Sequence, residues 1–598
     1  MQEGFNEQRE DLFRRKTNRM LREAIAQQYQ NIQFTSDRTD KAAKETVNWL
    51  YSDYTAICGA VVTHENIRAR IPVLIKEKNE ITILQIHSKG VKGGTSSVFD
   101  RIPPGKSLSR YLLMAAYRCH VLQLAYPDLE IRCRFLFPQN SYQTEIDQLY
   151  QKTQGNRNID KDVLEELMEL FASFDGTGTV KKVMDKIPAE VSHTVFRGLS
   201  VSEAVEKIQE MEHGEEKNYV DTVHEACRNC AFRRSIKEEE SGCWDLHFSD
   251  EEVLNGDRHQ LDLIGHHVGF NDLQQQMYQE KFSQPKGLNT AEKVMNHTGN
   301  KIAIYHRKAM QLLEARNQKL PLVFAKESLN SLKIEYPVHF LDFEAASHAV
   351  PFQRGKRPYS PILFQFSCHS LFKNGELRHT QWLDQNPESE IHHELVAALA
   401  RIPFFSKGTI IQYSPFERQA LYKLHREMLS DRSENINEIK ILEQFLQSRS
   451  AGAGQRFLDL RVVLRDGYYN RFMNNGLSLK QILFAVLNVE SSLGTLDKTE
   501  YEVEDMTIDL LKMDENGHIV NPYQQISDDR SRIQDGITAM HAYLCLKAGA
   551  LSEEQSKLVP VLMKRYCTLD TLALHIIFTH LLNIMEFSKS KGDLIIED

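Results

Sequence analysis

The sequence predicts an α/β protein built from more than one domain. Its 598 residues exceed what one ordinary hydrophobic core accommodates, so two or three domains are expected. Short β-branched apolar runs alternate with helical stretches in the first half. After a polar connector, a second such pattern opens with the run Val338-His339-Phe340-Leu341-Asp342-Phe343-Glu344-Ala345 and continues to the end.

Hydrophobic residues make up 41% and charged residues 26% of the chain, the balance of a soluble globular protein. The formal net charge of -9 excludes a generally basic nucleic-acid coat, so any nucleic-acid contact must come from local basic patches. The N-terminus lacks the apolar core of a signal peptide. No continuous apolar run approaches the roughly 20 residues of a membrane span. A cytoplasmic protein without a membrane partner is expected. Nine cysteines in so long a chain argue against a disulfide framework.

In order, residues 1–30 read as a charged amphipathic helix and 41–51 as a second helix. Runs at 57–63, 71–75 and 81–86 read as strands, 107–126 as a helix and 131–137 as another strand, together a small α/β nuclease-like core. Residues 155–215 read as helical around the Gly-containing break Phe174-Asp175-Gly176-Thr177-Gly178-Thr179-Val180. This gives a first domain over 1–250, a helical connector over 251–335 and a second domain over 336–598. The acidic stretch 491–529 reads as a surface insertion around the turn Glu515-Asn516-Gly517.

The chemistry concentrates in carboxylates of the second domain. Asp342 and Glu344 stand two apart on a strand and therefore share a face. Like charges that close repel, and burial raises the cost, so the pair calls for cations. Two divalent ions about 3.5–4 Å apart are the usual solution in phosphodiester-cleaving enzymes. The ordinary alternative is a solvated strand end carrying two acids. Near the C-terminus, Tyr566 and Asp570 lie four apart on one helix face. The aspartate could complete a metal site while the phenol holds the attacking water; otherwise the pair is a buried Tyr beside a dipole-favoured Asp. Glu417, near a helix start, either faces the site or caps that helix. Asp459 is a further ligand candidate or a structural acid. The basic loop with Arg354, Lys356 and Arg357 follows the first carboxylate strand. It either grips substrate phosphates or forms a solvated hairpin tip.

These pieces, in this order, resemble the DnaQ-like or DEDD exonuclease superfamily, and Tyr566-x-x-x-Asp570 resembles its tyrosine-type subclass. More closely, nearly all of 336–585 resembles the bacterial domain of unknown function 2779. The resemblance rests on FLDFEA, RPYSPILFQFSCH, SPFE, LSLKQIL, NPYQQI, DGITAMHAY and YCTLDTLA. It implies an RNase H-like (DnaQ-type) mixed sheet. It also implies Asp342, Glu344, Glu417 and Asp570 as ligands of two Mg²⁺ or Mn²⁺ ions, and Tyr566 as the residue that positions water. Many DnaQ-like enzymes carry Asp where Glu417 stands, so the reach of that ligand differs. The implied reaction is in-line attack of water on a terminal phosphodiester.

The first domain resembles RecB-like nucleases of the PD-(D/E)xK class, on NIRARIPVLI, ITILQIHSKGVKG and SLSRYLLMAAY. Pro72 stands where that class has its Asp, and Gln85-Ile86-His87 replaces its Glu-x-Lys, with Lys89 out of phase. Neither Pro nor Gln supplies the negative charge a Mg²⁺ site needs, so a catalytically inert scaffold is expected. Cys227, Cys230 and Cys243 have metal-ligand spacing. RecB-like relatives often carry a [4Fe–4S] cluster there. Cys58 is the least implausible fourth cysteine; His224 or His247 would instead complete a zinc site.

The leading expectation is a metal-dependent 3′–5′ exonuclease, with DNA favoured over RNA and protein partners open. The family context suggests genome maintenance or antiphage defence. The competing expectation is a nucleic-acid-binding or complex-assembly protein whose sites are both vestigial. The intact acids of the second domain favour the enzyme.

Overall fold

The computed structural model describes residues 17–91, 106–153, 159–188, 196–212, 323–324, 332–385, 391–430, 435–447, 456–473, 476–494, 496, 498–515, 517–526 and 533–591. The protein is mixed α/β, and its two main sheets each combine parallel and antiparallel pairs. It divides into two compact units, 1–221 with 347–361, and 222–346 with 362–598. Cys227, Cys230, Cys243 and nearly all of the expected connector lie outside the described residues.

The first unit holds a six-stranded sheet. Its strands are β1 (Ile32–Phe34), β2 (Tyr54–Cys58), β5 (Val73–Glu77), β6 (Glu80–Ile86), β7 (Glu130–Pro138) and β8 (Phe171–Asp175), side by side in that order. Strands β3 (Val61–His64) and β4 (Ile67–Arg70) form a separate hairpin. Between α1 (Thr39–Trp49) and the sheet's end, the chain turns from β2 to β3 at Gly59, whose φ of 80° suits glycine. The helix expected over 107–126 is α2 (Lys106–Ala125), and its Leu112, Ala116 and Leu122 bury against Ile81, Ile83 and Phe135 of the sheet. The stretch expected to be helical around a glycine break is more varied. Helix α3 (Lys161–Leu170) runs directly into β8, α4 (Thr177–Asp185) starts just past Gly176, and α5 (Val201–Glu212) follows. Strand β8 is short enough to be masked by the helical pattern on either side; its pairing with β7 is a tertiary effect.

The second unit is organised around β9 (Val338–Ala346). It pairs antiparallel with β10 (Ile362–Leu371), which pairs with β11 (Leu377–Leu383). On its other side β9 runs parallel to β12 (Thr409–Gln412), and β12 to β13 (Phe457–Asp459). The alternation along β9 decides the layers. Leu341 and Phe343 pack with α6 (Ile391–Leu399), α7 (Phe416–Leu429) and α8 (Ile436–Leu446). On the opposite face, Phe340 meets Phe578 edge-on at 5.4 Å between ring centroids. Phe578 belongs to the long C-terminal helix Glu553–Lys591, which is held to the sheet by Gln365 Nε2 donating to the Met563 carbonyl at 2.9 Å. By length and composition alone this helix is apolar enough to cross a membrane, yet 78% of its apolar stretch is buried inside the protein, as in a core helix.

The acidic stretch 491–529 is more than a surface insertion. A ladder of Glu500–Val503 on Met506–Asp509 is followed by the one-turn helix Pro522–Gln525, whose Tyr523 is buried. Asn521 caps that turn by accepting from the Tyr523 amide at 3.0 Å, and Pro522 occupies its first position, where a missing N–H costs nothing. This local chemistry delivers a phenol to the interior.

Candidate metal centre

Strand β9 and the C-terminal helix bring three acids together. One carboxylate oxygen each from Asp342, Glu344 and Asp570 lies within 4.8 Å of the others, and no other group of three candidate ligands occurs among the described residues. Glu344 and Asp570 are buried, and Asp342 is half-buried. The strand register breaks between Glu344 and Ala345, a bulge of the kind that re-aims side chains next to functional sites.

The electrostatics are those of acids packed without enough positive charge. Burial pushes the Asp342 carboxyl well above the usual range, and Asp570, Glu344 and Glu417 push it further. Burial, with Asp570 beside it, raises Glu344 to about 8. Asp570 is raised by burial too, but is partly relieved by Lys480 and by the hydrogen bond from Tyr523. Glu417 sits in the first turn of α7, is buried, and is raised to about 8 by burial and by Asp459. It stands outside the 4.8 Å set but close enough to act on Asp342 and Glu344. Its Oε2 is buried without a hydrogen-bond partner among the described residues. Hard oxygen donors, buried, mutually repelling and in part unpaired, fit a divalent cation of the Mg²⁺ or Mn²⁺ kind.

Of the other sequence candidates, Tyr566 is buried one turn before Asp570 on the C-terminal helix, near enough to act on its carboxylate. Asp459 caps Leu460–Gly467, its carboxylate accepting from the amides of Arg461 at 3.0 Å and Val462 at 3.4 Å. The segment with Arg354, Lys356 and Arg357 groups with the first unit. There the Gly355 amide donates to the Thr144 carbonyl at 2.7 Å, and the Arg354 amide donates to Asp147 at 3.1 Å. Arg354 and Arg357 are exposed and Lys356 is half-buried.

Three participants escaped the sequence reading. The Tyr523 hydroxyl donates to Asp570 Oδ1. Lys480, on the helix Leu479–Leu493, sets its ammonium 4.7 Å from the ring centre of Tyr566 and 5.0 Å from that of Tyr523. The Cys567 thiol lies 3.6 Å from Asp342 Oδ2.

Residues 339–478 match the family model described as domain of unknown function (DUF2779). The DUF2779 stretch holds Asp342, Glu344 and Glu417, while Lys480, Tyr523, Tyr566 and Asp570 lie beyond it. No curated protein and no solved structure matches the chain.

In the first unit, Gln85 and His87, which the sequence comparison set against the Glu-x-Lys of the PD-(D/E)xK class, are both neutral groups. Gln85 is fully buried on β6 and its Oε1 accepts from the Arg118 guanidinium. His87 stacks on Tyr111 at 3.9 Å, and burial, with Arg118 adding to it, pushes its imidazole down to about 3. Neither the amide nor the neutral imidazole supplies negative charge, and the Arg118 guanidinium beside them repels a cation. Gln85→Ala and His87→Ala are therefore expected to leave turnover within about twofold of wild type. The lost packing should cost on the order of 2 kcal/mol of stability. Paired activity and thermal-melt measurements check both halves; a large loss of turnover in a folded variant contradicts an inert first unit.

The raised carboxyls also predict a pH-dependent stability. Between the ordinary glutamate value of 4.5 and about 8, folded Glu344 and Glu417 retain protons that the unfolded chain releases. Stability of the metal-free protein should therefore fall as pH rises through that window. Added Mn²⁺ should raise the melting temperature more at pH 8 than at pH 5, because it competes with those protons. Melts in EDTA and in Mn²⁺ at the two pH values read this directly, and an equal shift at both would contradict it.

Proposed function

We propose that the second unit is a divalent-metal-dependent nuclease that removes nucleotides from 3′ ends, with DNA favoured over RNA. The observation that carries this reading is the convergence of Asp342, Glu344 and Asp570, from a central strand and a distant helix, into one buried carboxylate cluster. Its agreement with the DnaQ-like, tyrosine-type pattern of the sequence supports the reaction class.

In this reading Asp342, Glu344 and Asp570 hold the cation, with Glu417 at the edge of the site. A bound divalent cation supplies charge for the phosphoryl oxygens and a nucleophile at neutral pH. The chain's own contribution is orientation. Tyr523 donates to Asp570 and fixes the direction of its carboxylate, and Tyr566 stands beside it. Tyr566, whose phenol is held well above its usual range by burial and by Asp570 and Glu344, orients water rather than acting as a base. Arg354, Lys356 and Arg357 are proposed as phosphate contacts, and the first unit as a non-catalytic RecB-like scaffold. A metal at Cys227, Cys230 and Cys243, iron–sulfur or zinc, belongs to the same reading.

The polarity test uses 5′-labelled single-stranded DNA and RNA with free or blocked 3′ ends. Stepwise shortening of the free-ended strands, absent from the blocked ones, is expected. Internal cuts in blocked strands would replace the exonuclease reading with an endonuclease one.

A further inference from the structure

The first unit gathers buried N–H donors where the sequence resemblance places a metal site. Gln85 and His87 stand two apart on β6 and share a face. Arg118 and Tyr111 stand two turns apart on one side of α2. The two faces meet. The Arg118 guanidinium donates to Gln85 Oε1 and, through Nε, to the Arg70 carbonyl at 2.9 Å. The His87 ring stacks on that of Tyr111 with centroids 3.9 Å apart.

These contacts leave donors over. A guanidinium only donates, so the Gln85 amide turns its oxygen toward Arg118 and its NH₂ group elsewhere. Gln85 is fully buried, and its Nε2 has no hydrogen-bond partner among the described residues. His87 is 7% exposed, and its Nε2 is likewise buried without a partner there. A neutral imidazole carries its proton on either nitrogen, so Nε2 can donate. Arg22, close enough to act on Arg118, has a third such donor in its Nε. No carboxylate pairs with Arg118 or Arg22 among the described residues, whereas Arg19, one turn before Arg22, is matched by Glu23 at 2.8 Å and Asp37 at 3.3 Å. Buried N–H groups without acceptors and a guanidinium without a counter-charge are both unfavourable, and one anion relieves both.

We propose that Arg118, Gln85 and His87 bind a phosphate group. Where a PD-(D/E)xK site would hold a cation on carboxylates, this one holds an anion on N–H donors. Arg118 supplies the charge, and Gln85 Nε2 and His87 Nε2 supply neutral donors from one strand face, a set that suits phosphate oxygens. Because the neutral donors are buried, the fit is to a compact terminal phosphate, inorganic or the monoester of a nucleotide, over the internal diesters of a strand. The inference goes beyond the nuclease reading. These residues belong to a different unit from the carboxylates, and the readout is binding, not turnover.

The test titrates the full-length protein by calorimetry with inorganic phosphate, a 5′-mononucleotide and the corresponding nucleoside. EDTA is present throughout, so that no phosphate is held through a metal at the other unit. One phosphate per chain is expected from either phosphate-bearing probe, with no binding of the nucleoside. Tighter binding of the mononucleotide assigns the ligand to nucleotides, and equal binding assigns it to inorganic phosphate. Arg118→Met should weaken binding about 10–10²-fold, the size of one charge-assisted contact. Gln85→Glu is sharper, because its carboxylate pairs with Arg118 in the ligand's place. Phosphate binding should be lost, while the ligand-free protein melts at or above the wild-type temperature. No phosphate binding by wild type, or binding that both variants leave unchanged, overturns the inference and leaves the nuclease reading standing. A 5′-hydroxyl oligonucleotide bound as tightly as the mononucleotide, and released by Gln85→Glu, overturns the assignment to a terminal phosphate. If Arg118→Met fails to fold, wild type and Gln85→Glu still decide.

Discussion

Asp342→Ala is expected to abolish nucleotide release, with a loss on the order of 10³-fold or more. Asp342 belongs to the three-carboxylate set, feels all the other acids of the site, and is its half-buried member. Its Oδ2 also lies 3.6 Å from the Cys567 thiol. The same change should stabilise the metal-free protein, because it removes one of several acids that repel each other out of water. A rise in melting temperature of about 2–4 °C in EDTA, the size expected for roughly 1 kcal/mol in a domain of this class, would accompany the loss of activity. A residue that served only to hold the fold together would lower both. If the variant melts lower than wild type in EDTA and also loses activity, its role is structural.

Asp570→Asn should be nearly as severe, lowering turnover on the order of 10²–10³-fold while keeping shape. The amide removes a ligand charge and can turn an NH₂ group toward the place where the Tyr523 phenol now donates. The two tyrosines separate the causes. Tyr523→Phe deletes the donor to Asp570 and Tyr566→Phe the phenol proposed to orient water, and each should cost about 10–10²-fold. The double variant should fall short of the product of the two, because both stand beside one carboxylate. If Tyr566→Phe alone matches Asp570→Asn, Tyr566 has a role in the reaction beyond orienting water.

How much of this was legible beforehand follows from the range of each signal. The Asp342–Glu344 pair and the Tyr566–Asp570 pair are local: a period of two on a strand and a spacing of four on a helix put each pair on one face. The central strand declared itself through the apolar residues flanking Asp342, and it is found over Val338–Ala346. Glu417 is local in another sense, since the Ser414-Pro415 turn ahead of it fixes where α7 starts.

Lys480 and Tyr523 are not local. A lysine near the start of an apolar helix ordinarily reaches solvent, and only the meeting of Leu479–Leu493 with the C-terminal helix turns it inward over two phenols. Tyr523 lay inside an acidic stretch whose composition reads as surface. The cue available was the Asn521-Pro522 start of a turn followed by aromatic and aliphatic residues, with Tyr523 and Ile526 both buried. The expected strand 57–63 is divided between β2 and Val61–His64, and the Ile67–Arg70 strand paired with it was hidden, because Arg68 and Arg70 interrupt the apolar pattern and ladder pairing makes the strand.

The most direct test of the central claim follows a 5′-labelled oligonucleotide with a free 3′ end in Mn²⁺, in Mg²⁺ and in EDTA, with wild type and Asp342→Ala side by side. Wild type is expected to yield a ladder shortening from the 3′ end in metal, and both EDTA and Asp342→Ala should leave the strand intact. Degradation by Asp342→Ala at the wild-type rate, or by wild type in EDTA, would contradict a catalytic metal centre at these carboxylates.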